Sequence, residues 1–123
     1  MEKIQCICRM RDLMKALSEL ETQLVDNYGV TLNEAMVLCS VGGDTVSAGD
    51  ITACTGMTPS HASKTIRAVE DKGLLLRKLG EHDKRQMYFA LTRKGKNCLG
   101  RIKEHGVDAP AWLLPLFDGP EAG

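Results

Sequence analysis

Residues 57–91 read MTPSHASKTIRAVEDKGLLLRKLGEHDKRQMYFAL, and this stretch decides the fold. Thr58 can cap a helix whose first position is Pro59, because proline lacks the N–H that would have no partner there. Apolar residues then recur at helical spacing. Gly73 tolerates the left-handed conformation that commonly ends a helix. The pattern therefore predicts a helix over residues 58–72.

A β-hairpin is predicted directly after this helix. Residues 74–79 and 87–91 are short apolar runs that favour strands. The segment between them, 80–86, is glycine followed by charged and polar residues. We therefore expect a hairpin with a charged tip.

Three further helices are predicted upstream. From residue 3 to about residue 27, apolar residues recur every three or four positions, which is typical of a long amphipathic helix. Capping boxes are predicted at Thr31 with Glu34 and at Ser47 with Asp50, where side chain and backbone cap each other at a helix start. The short helix after Ser47 and the helix that follows it then form a helix-turn-helix, whose second member reads the DNA major groove.

The segment after the hairpin predicts a fifth helix and an apolar tail. Thr92 can cap that helix, which runs to about Ile102. Asp108 is predicted to cap a short helix that begins near Pro110 and carries Trp112 among four large apolar residues. Because such a segment would be a liability if exposed, we expect it to pack on the first helix of a second copy.

The expected architecture is mainly α with a small β-hairpin wing, an α+β winged helix-turn-helix. Its 123 residues suit one domain. Residues 31–103 are assigned to the DNA-binding lobe, and residues 1–28 and 104–118 to helices for dimerisation.

Charge is unevenly distributed along a chain whose net charge is zero. Residues 1–57 hold four basic and eight acidic side chains, and residues 58–103 hold twelve basic and four acidic ones. Residues 104–123 hold four acidic side chains and no basic one. A middle section with such an excess of positive charge is typical of a surface that binds phosphates. The alternative is that the charges lie on solvated helix faces and bind nothing.

Composition narrows the setting of the protein. No apolar run approaches the roughly 18 residues that a membrane-spanning helix needs, and the N-terminus lacks a signal-peptide core, so we expect a cytoplasmic protein. Five cysteines at irregular spacing indicate reduced thiols rather than a disulfide framework. Cys39 and Cys54, on apolar helix faces, are predicted to be core residues.

Two motifs resemble the MarR family of bacterial winged helix-turn-helix repressors. Residues 83–85, Asp-Lys-Arg, followed by residues 91–95, Leu-Thr-Arg-Lys-Gly, are similar to the family's wing signature. Residues 69–74 with Arg77 are similar to its junction between recognition helix and first wing strand. The likeness covers residues 30–103, although the chain is short at its C-terminal end and lacks the usual proline before the Asp-x-Arg.

The resemblance implies a homodimer that binds a pseudo-palindromic operator and is released by a ligand or an oxidant. It implies a ligand pocket between the first helix, the DNA-binding lobe and the partner chain, with Met10, Met14, Leu17 and Met36 as lining residues, although methionines at such spacing also fill cores. The residues that it places at the major groove or its phosphates are Ser60, His61, Ser63, Lys64 and Arg67. At the wing, Arg85 would enter the minor groove, Asp83 would orient it, and Lys84 would contact the DNA backbone.

General chemistry supports these roles and also offers simpler ones. Arginine presents a fork of donors and is attracted to narrow A·T-rich minor grooves. Serine and lysine near a helix start reach phosphates and base edges. The simpler alternatives are a surface ion pair between Asp83 and Arg85, which stabilises little, and an incidental exposed histidine at His61.

Cys6 and Cys8 are candidate redox residues at the start of the first helix, where the helix dipole favours thiolate. Some members of the resembled family sense hydroperoxides with a cysteine near that place. The alternative is that one packs in the interface and the other is incidental, because free cysteine often behaves as a small hydrophobic residue. Metal binding by the pair is not expected, because residues two apart on a helix point in different directions.

Other classes of function have less support. No motif places a nucleophile, a base and an orienting group together, and there is no glycine-rich phosphate loop or metal-ligand spacing, so we expect neither an enzyme nor a cofactor. A winged helix used only for protein contacts is the remaining alternative. Such a module need not keep Lys64, Arg67 and Arg85 on one basic face, and salt-sensitive binding to duplex DNA separates the two functions.

Overall fold

The computed structural model describes residues 3–80 and 85–117, and it divides into two compact units. Residues 1–29 and 107–123 contribute to one, here called the terminal unit. Residues 30–106 form the other, here called the central unit.

The terminal unit is built on the predicted long helix, α1 (Lys3–Tyr28). A 3-10 turn (Ala111–Leu113) and a short helix, α6 (Leu114–Phe117), complete it. Leu113 is 1% exposed and packs with Ala16 and Leu20 of α1. The returning chain is thereby fixed to the middle of α1.

A side-chain clamp fixes the same return. The Gln23 amide donates from Nε2 to the Asp108 carbonyl at 3.1 Å, and the Asp108 N–H donates to Gln23 Oε1 at 2.7 Å. The prediction that Asp108 caps a helix is wrong, because the residue that precedes the 3-10 turn is Pro110, which makes no side-chain cap. Asp108 contributes its backbone to the clamp.

The central unit contains the remaining elements, and all of them except β1 were predicted in this order. These are α2 (Leu32–Val41), β1 (Val46–Ser47), α3 (Ala48–Thr55), α4 (Pro59–Asp71), β2 (Leu75–Leu79), β3 (Met87–Leu91) and α5 (Arg93–His105). Its core is formed by apolar side chains from α2, α3 and α4, from the sheet and from α5. Val37, Leu38, Ile51, Val69 and Phe89 are each at most 3% exposed.

The predicted capping boxes are confirmed. Thr31 Oγ1 accepts from the Glu34 N–H at 3.2 Å while Glu34 accepts from the Thr31 N–H at 2.8 Å. Ser47 and Asp50 make the same reciprocal pair at 3.1 and 3.0 Å. Local hydrogen bonding therefore starts α2 and α3 where the sequence indicated.

The sheet has three antiparallel strands in the order β1-β3-β2. The hairpin of β2 and β3 is confirmed, and its register places Arg77 opposite Phe89 and Leu79 opposite Met87. The sequence did not predict β1, whose two residues pair with Phe89 and Tyr88. β3 is consequently the central strand, and Phe89 has a neighbour on each side.

Candidate nucleic-acid interface

The start of α4 is set by the residues that predicted it. Thr58 is the N-cap, and its Oγ1 accepts from the His61 N–H at 3.2 Å. Pro59 occupies the first turn. Gly56, with φ 76°, ends α3 in the left-handed conformation, so that α4 follows after a tight turn.

One face of α4 is buried and the opposite face is exposed. Ala62, Thr65, Ile66 and Val69 are buried. The candidate DNA-binding residues of the helix are all exposed, and they are Ser60, His61, Ser63, Lys64 and Arg67. Four of these, at positions 60, 63, 64 and 67, share one face because residues three and four apart are neighbours on a helix.

His61 lies apart from that row and is held by α2. Its Nε2 is 3.2 Å from Nδ2 of Asn33. The Asn33 amide and the His61 imidazole are thus within hydrogen-bonding distance of each other. His61 therefore lies at the edge of the exposed face, beside the start of α2.

The wing is described on both sides of its tip. The Gly80 N–H donates to the Gln86 carbonyl at 3.0 Å, which closes the hairpin. Arg85 is exposed. Asp83 and Lys84 lie outside the described residues.

A forked ion pair joins α4 to the sheet. Arg77 of β2 donates from Nη2 to Glu70 Oε1 at 2.7 Å and from Nε to Glu70 Oε2 at 3.3 Å. The guanidinium carbon lies 5.4 Å from the centre of the Phe89 ring, within range of a cation–π contact. Hydrogen bonding to Glu70 raises the pKa of Arg77. The guanidinium thus makes two hydrogen bonds to one carboxylate and lies over an aromatic ring.

A second ion pair joins the end of α4 to the start of α2. Lys72 Nζ lies 2.6 Å from Glu34 Oε1, the carboxylate of the first capping box. Burial alone raises the pKa of Glu34, but hydrogen bonds from Lys72 and Thr31 outweigh it, so the pKa lies below its ordinary value. One carboxylate thus serves a helix cap and a tertiary contact.

The residues just after α4 are fixed by the start of α5. Thr92 Oγ1 donates to the Gly73 carbonyl at 2.7 Å, and the Thr92 N–H donates to the Leu74 carbonyl at 3.1 Å. A Cβ placed on Gly95 would lie 2.0 Å from the Leu74 carbonyl oxygen. Glycine is required at position 95 because the Leu74 backbone leaves no room for a Cβ atom. This close approach explains the glycine of the Leu-Thr-x-x-Gly motif.

The cysteines divide by exposure. Cys6 is exposed and Cys8 is partly buried, both in the first turns of α1. The prediction that Cys39 and Cys54 belong to the core is wrong, since both are exposed. Cys98 is the buried cysteine among the described residues, and burial raises the pKa of its thiol.

Two negative findings apply to the described part of the chain. Within residues 3–80 and 85–117, no three His, Cys, Asp or Glu side chains are grouped as they would be at a metal site. None of the helices there combines the length and apolar content needed to cross a membrane.

Comparison with known protein families gives a match to the part of the chain that contains the helix-turn-helix and the first strand of the wing. Residues 28–86 match the family model of the MarR family. No curated protein sequence matches the chain.

Solved structures with the same fold are MarR-like regulators. AbsC of Streptomyces coelicolor, a MarR family transcriptional regulator, is 23% identical with a TM-score of 0.67, over 86% of this chain and 75% of its own. BpsR of Bordetella bronchiseptica, whose DNA binding is regulated by 6-hydroxynicotinic acid, is 18% identical with a TM-score of 0.67, over 84% and 77%. MepR of S. aureus, solved in complex with DNA, is 19% identical with a TM-score of 0.64, over 77% and 79%. These likenesses establish the winged helix fold.

Proposed function

We propose that this chain, whose residues 28–86 match the MarR family model, is a homodimeric transcriptional repressor that binds a pseudo-palindromic operator. The observation that carries the proposal is the exposed polar and basic row on α4, opposite a fully buried face. A helix with this arrangement can enter the major groove, about 12 Å wide, without disturbing the core.

The side chains of that row suit two tasks. Lys64 and Arg67 are cations that neutralise phosphates, and Arg67 can also form paired hydrogen bonds with guanine. Ser60 and Ser63, nearer the helix start, are short enough for the backbone of α4 to approach the bases. His61, beside Asn33, would contact DNA at the edge of this footprint.

The wing is assigned to the minor groove. Arg85 is exposed close to the hairpin tip, and arginine is favoured in narrow minor grooves by their enhanced negative potential. Asp83 would orient Arg85, and Lys84 would contact the backbone. MepR, which has this fold, was solved with DNA, in agreement with a fold suited to duplex binding.

A second copy of the chain is the proposed cover for the apolar surface of the terminal unit. Ile7, Met10 and Met14 of α1 are 66%, 63% and 71% exposed, and they lie on one stripe. Near the C-terminus, Trp112 and Leu116 are 55% and 73% exposed. Large apolar side chains exposed in such number are typical of an interaction site.

Sedimentation analysis tests the dimer. We expect the wild-type protein to sediment as a dimer and Met14→Glu to sediment as a monomer, because a carboxylate would be buried without a partner. Lys15→Glu, the adjacent exposed position, is the matched control and should remain dimeric. A monomeric wild type at the concentrations that bind DNA would contradict the assignment.

Release from DNA is proposed to occur through a small ligand or through oxidation of Cys6 or Cys8. BpsR, of the same fold, is regulated by a small aromatic acid. Exposure of Cys6 supports the oxidant route, since a buried thiol is inert. If Cys6→Ser/Cys8→Ser left the peroxide sensitivity of DNA binding unchanged, the oxidant route would be abandoned.

Titration against DNA is the central experiment. The protein is titrated with duplex from its own promoter region and with a scrambled duplex, at two salt concentrations. Preference for the promoter with steep salt dependence supports a specific operator-binding regulator. Absence of binding to either duplex, with the thiols reduced, favours the alternative of a protein-interaction module.

Arg85→Ala tests the wing in the same assay. We expect affinity about tenfold lower with an unchanged melting temperature, because an exposed arginine contributes little to folding. Unchanged affinity would remove Arg85 from the interface.

A further inference from the structure

The corner between α4 and the wing contains a groove that the DNA-binding assignment leaves without a role. It has a volume of about 270 Å³ and is lined by Ser63 and Arg67 of α4 and by Arg77, Met87 and Phe89 of the sheet. The exposed row of α4 therefore borders the wing strands at this groove. The side chain that crosses from the strands to the helix is Arg77.

Three contacts hold Arg77. Both oxygens of Glu70 accept from its guanidinium, at 2.7 and 3.3 Å. Phe89, its cross-strand partner on the central strand, is 3% exposed and lies under the guanidinium. A planar fork with a fixed aromatic base allows far less movement than a single ion pair.

The covalent link between helix and wing is short and contains a glycine. Only three residues, 72–74, separate α4 from β2, and Gly73 has φ 76°. Thr92, at the start of α5, holds this link through the Gly73 and Leu74 carbonyls. The fork from Arg77 to Glu70 adds a second connection across the same corner.

A direct phosphate contact by Arg77 is the competing role. Its side chain is 44% exposed, so a phosphate could reach it. However, two of its N–H groups already donate to Glu70, and the carboxylate would repel an incoming phosphate. The geometry favours a role in which the arginine acts through Glu70.

We propose that Arg77 is a positioning residue for DNA binding, which together with Glu70 fixes the wing at the angle that lets wing and α4 contact one duplex together. The inference rests on the proposed function. Because the pair is partly exposed, its loss should change DNA affinity more than stability.

The experiment is a double-mutant cycle in the DNA titration, with Arg77→Gln, Glu70→Gln and the double variant. We expect each single variant to bind about fivefold to tenfold more weakly, and the double variant to bind no more weakly than either. The dependence of affinity on salt should stay as in the wild type, since no phosphate contact is lost. Lys78→Gln, which removes a positive charge from the opposite face of β2, is the matched control.

Arg77→Lys separates the two roles further. Lysine restores the charge but not the fork, so a positioning role leaves this variant weakened, whereas a phosphate contact is largely restored. The inference is overturned if Arg77→Gln lowers the salt slope by about one while Glu70→Gln tightens binding. Wild-type affinity in both single variants also overturns it.

A measurement without DNA keeps this inference distinct from the proposed function. Amide hydrogen exchange in β2 and β3 should be faster in Arg77→Gln than in the wild type and in Lys78→Gln, because the wing has lost its second connection. Equal exchange rates in all three proteins would overturn the inference even if the wild type bound no DNA. Faster exchange without DNA binding would support the role of Arg77 at this corner and count against the proposed function alone.

Discussion

The two ends of α4 are built in opposite ways. From residue 60 to residue 67, the exposed side chains of Ser60, Ser63, Lys64 and Arg67 make no hydrogen bond or ion pair with any residue that the structure describes. At the carboxyl end, Glu70 binds Arg77, Lys72 binds Glu34, and Lys94 Nζ donates to the Lys72 carbonyl at 3.0 Å. One end of the helix is fastened, and the other is left with unused donors.

This difference predicts that the carboxyl end of α4 contributes mainly to the stability of the central unit and that the exposed end contributes mainly to DNA binding. Apart from the partly exposed Arg77–Glu70 pair, substitutions at the fastened end should destabilise the central unit, and substitutions at the exposed end should leave it folded while they alter binding. The following variants test that division, from the largest expected change in unfolding free energy to the smallest.

Gly95→Ala should have the largest effect on stability. The new Cβ would lie 2.0 Å from the Leu74 carbonyl oxygen and 3.0 Å from the carbonyl carbon, and both are backbone atoms that cannot move alone. We expect a loss of about 3 kcal/mol or more in a urea unfolding titration, because the junction that fixes the end of α4 must open.

Gly100→Ala is the control within the same helix. A Cβ there meets nothing within 4 Å, so alanine should raise stability by about 0.5–1 kcal/mol through its better helix propensity. Similar losses for both variants would show that glycine at position 95 is not required by the close approach of Leu74.

Glu34→Ala should have the next largest effect. The side chain is 7% exposed and accepts from both the Thr31 N–H and Lys72 Nζ. Its removal leaves the cap of α2 and an ammonium group without their acceptor, and we expect a loss of about 1–2 kcal/mol, since Lys72 is partly solvated. Unfolding at neutral pH measures it.

The charge of Glu34 also makes stability depend on pH. Burial raises the pKa of Glu34, but the hydrogen bonds from Lys72 and Thr31 lower it by a larger amount. The folded state therefore binds the proton less readily than the unfolded state. The contribution is therefore complete above the ordinary glutamate value of about 4.3 and is lost as pH falls through the folded pKa. Glu34→Gln should lose less stability than the wild type between about pH 6 and about pH 3, the range in which carboxyl groups titrate. An identical acid profile would rule out this contribution.

Thr58→Ala should cost about 1 kcal/mol, because the His61 N–H loses its cap. Thr58→Ser keeps the hydroxyl and should remain close to the wild type. Thermal unfolding of the pair distinguishes loss of the cap from loss of the methyl group. Equal melting temperatures for the alanine and serine variants would mean that the cap does not stabilise α4.

How much of this could be predicted depends on the separation of the groups involved. The caps at Thr31, Ser47, Thr58 and Thr92 join residues three apart, so the sequence contains the whole interaction, and each prediction is confirmed. The strand β1 has only two residues, too few for any periodicity, and its pairing is set by β3. Short-range signals were therefore sufficient for the helices and the hairpin.

The ion pairs at the fastened end of α4 were not predicted from the sequence. Glu34 and Lys72 are 38 residues apart, and only the packing of α2 against α4 brings them together. Arg77 was recognised as part of a motif, but its partner Glu70 depends on the angle between helix and strand. Cys39 was misassigned because α2 is apolar on most sides, so its residue type did not show that its position faces away from the core.

The exposed end of α4 should give the smallest change in stability and a clear change in binding. Lys64→Ala and Arg67→Ala should alter the free energy of unfolding by no more than about 0.5 kcal/mol, because neither side chain makes a hydrogen bond or ion pair with a residue that the structure describes. Each should weaken DNA binding about tenfold, and each that contacts a phosphate should lower the salt slope by about one. Lys96→Ala, an exposed lysine on α5, is the charge-matched control. If Lys96→Ala weakened binding as much as Lys64→Ala, binding would follow total charge rather than the row on α4, and the contrast between the two ends of the helix would describe folding alone.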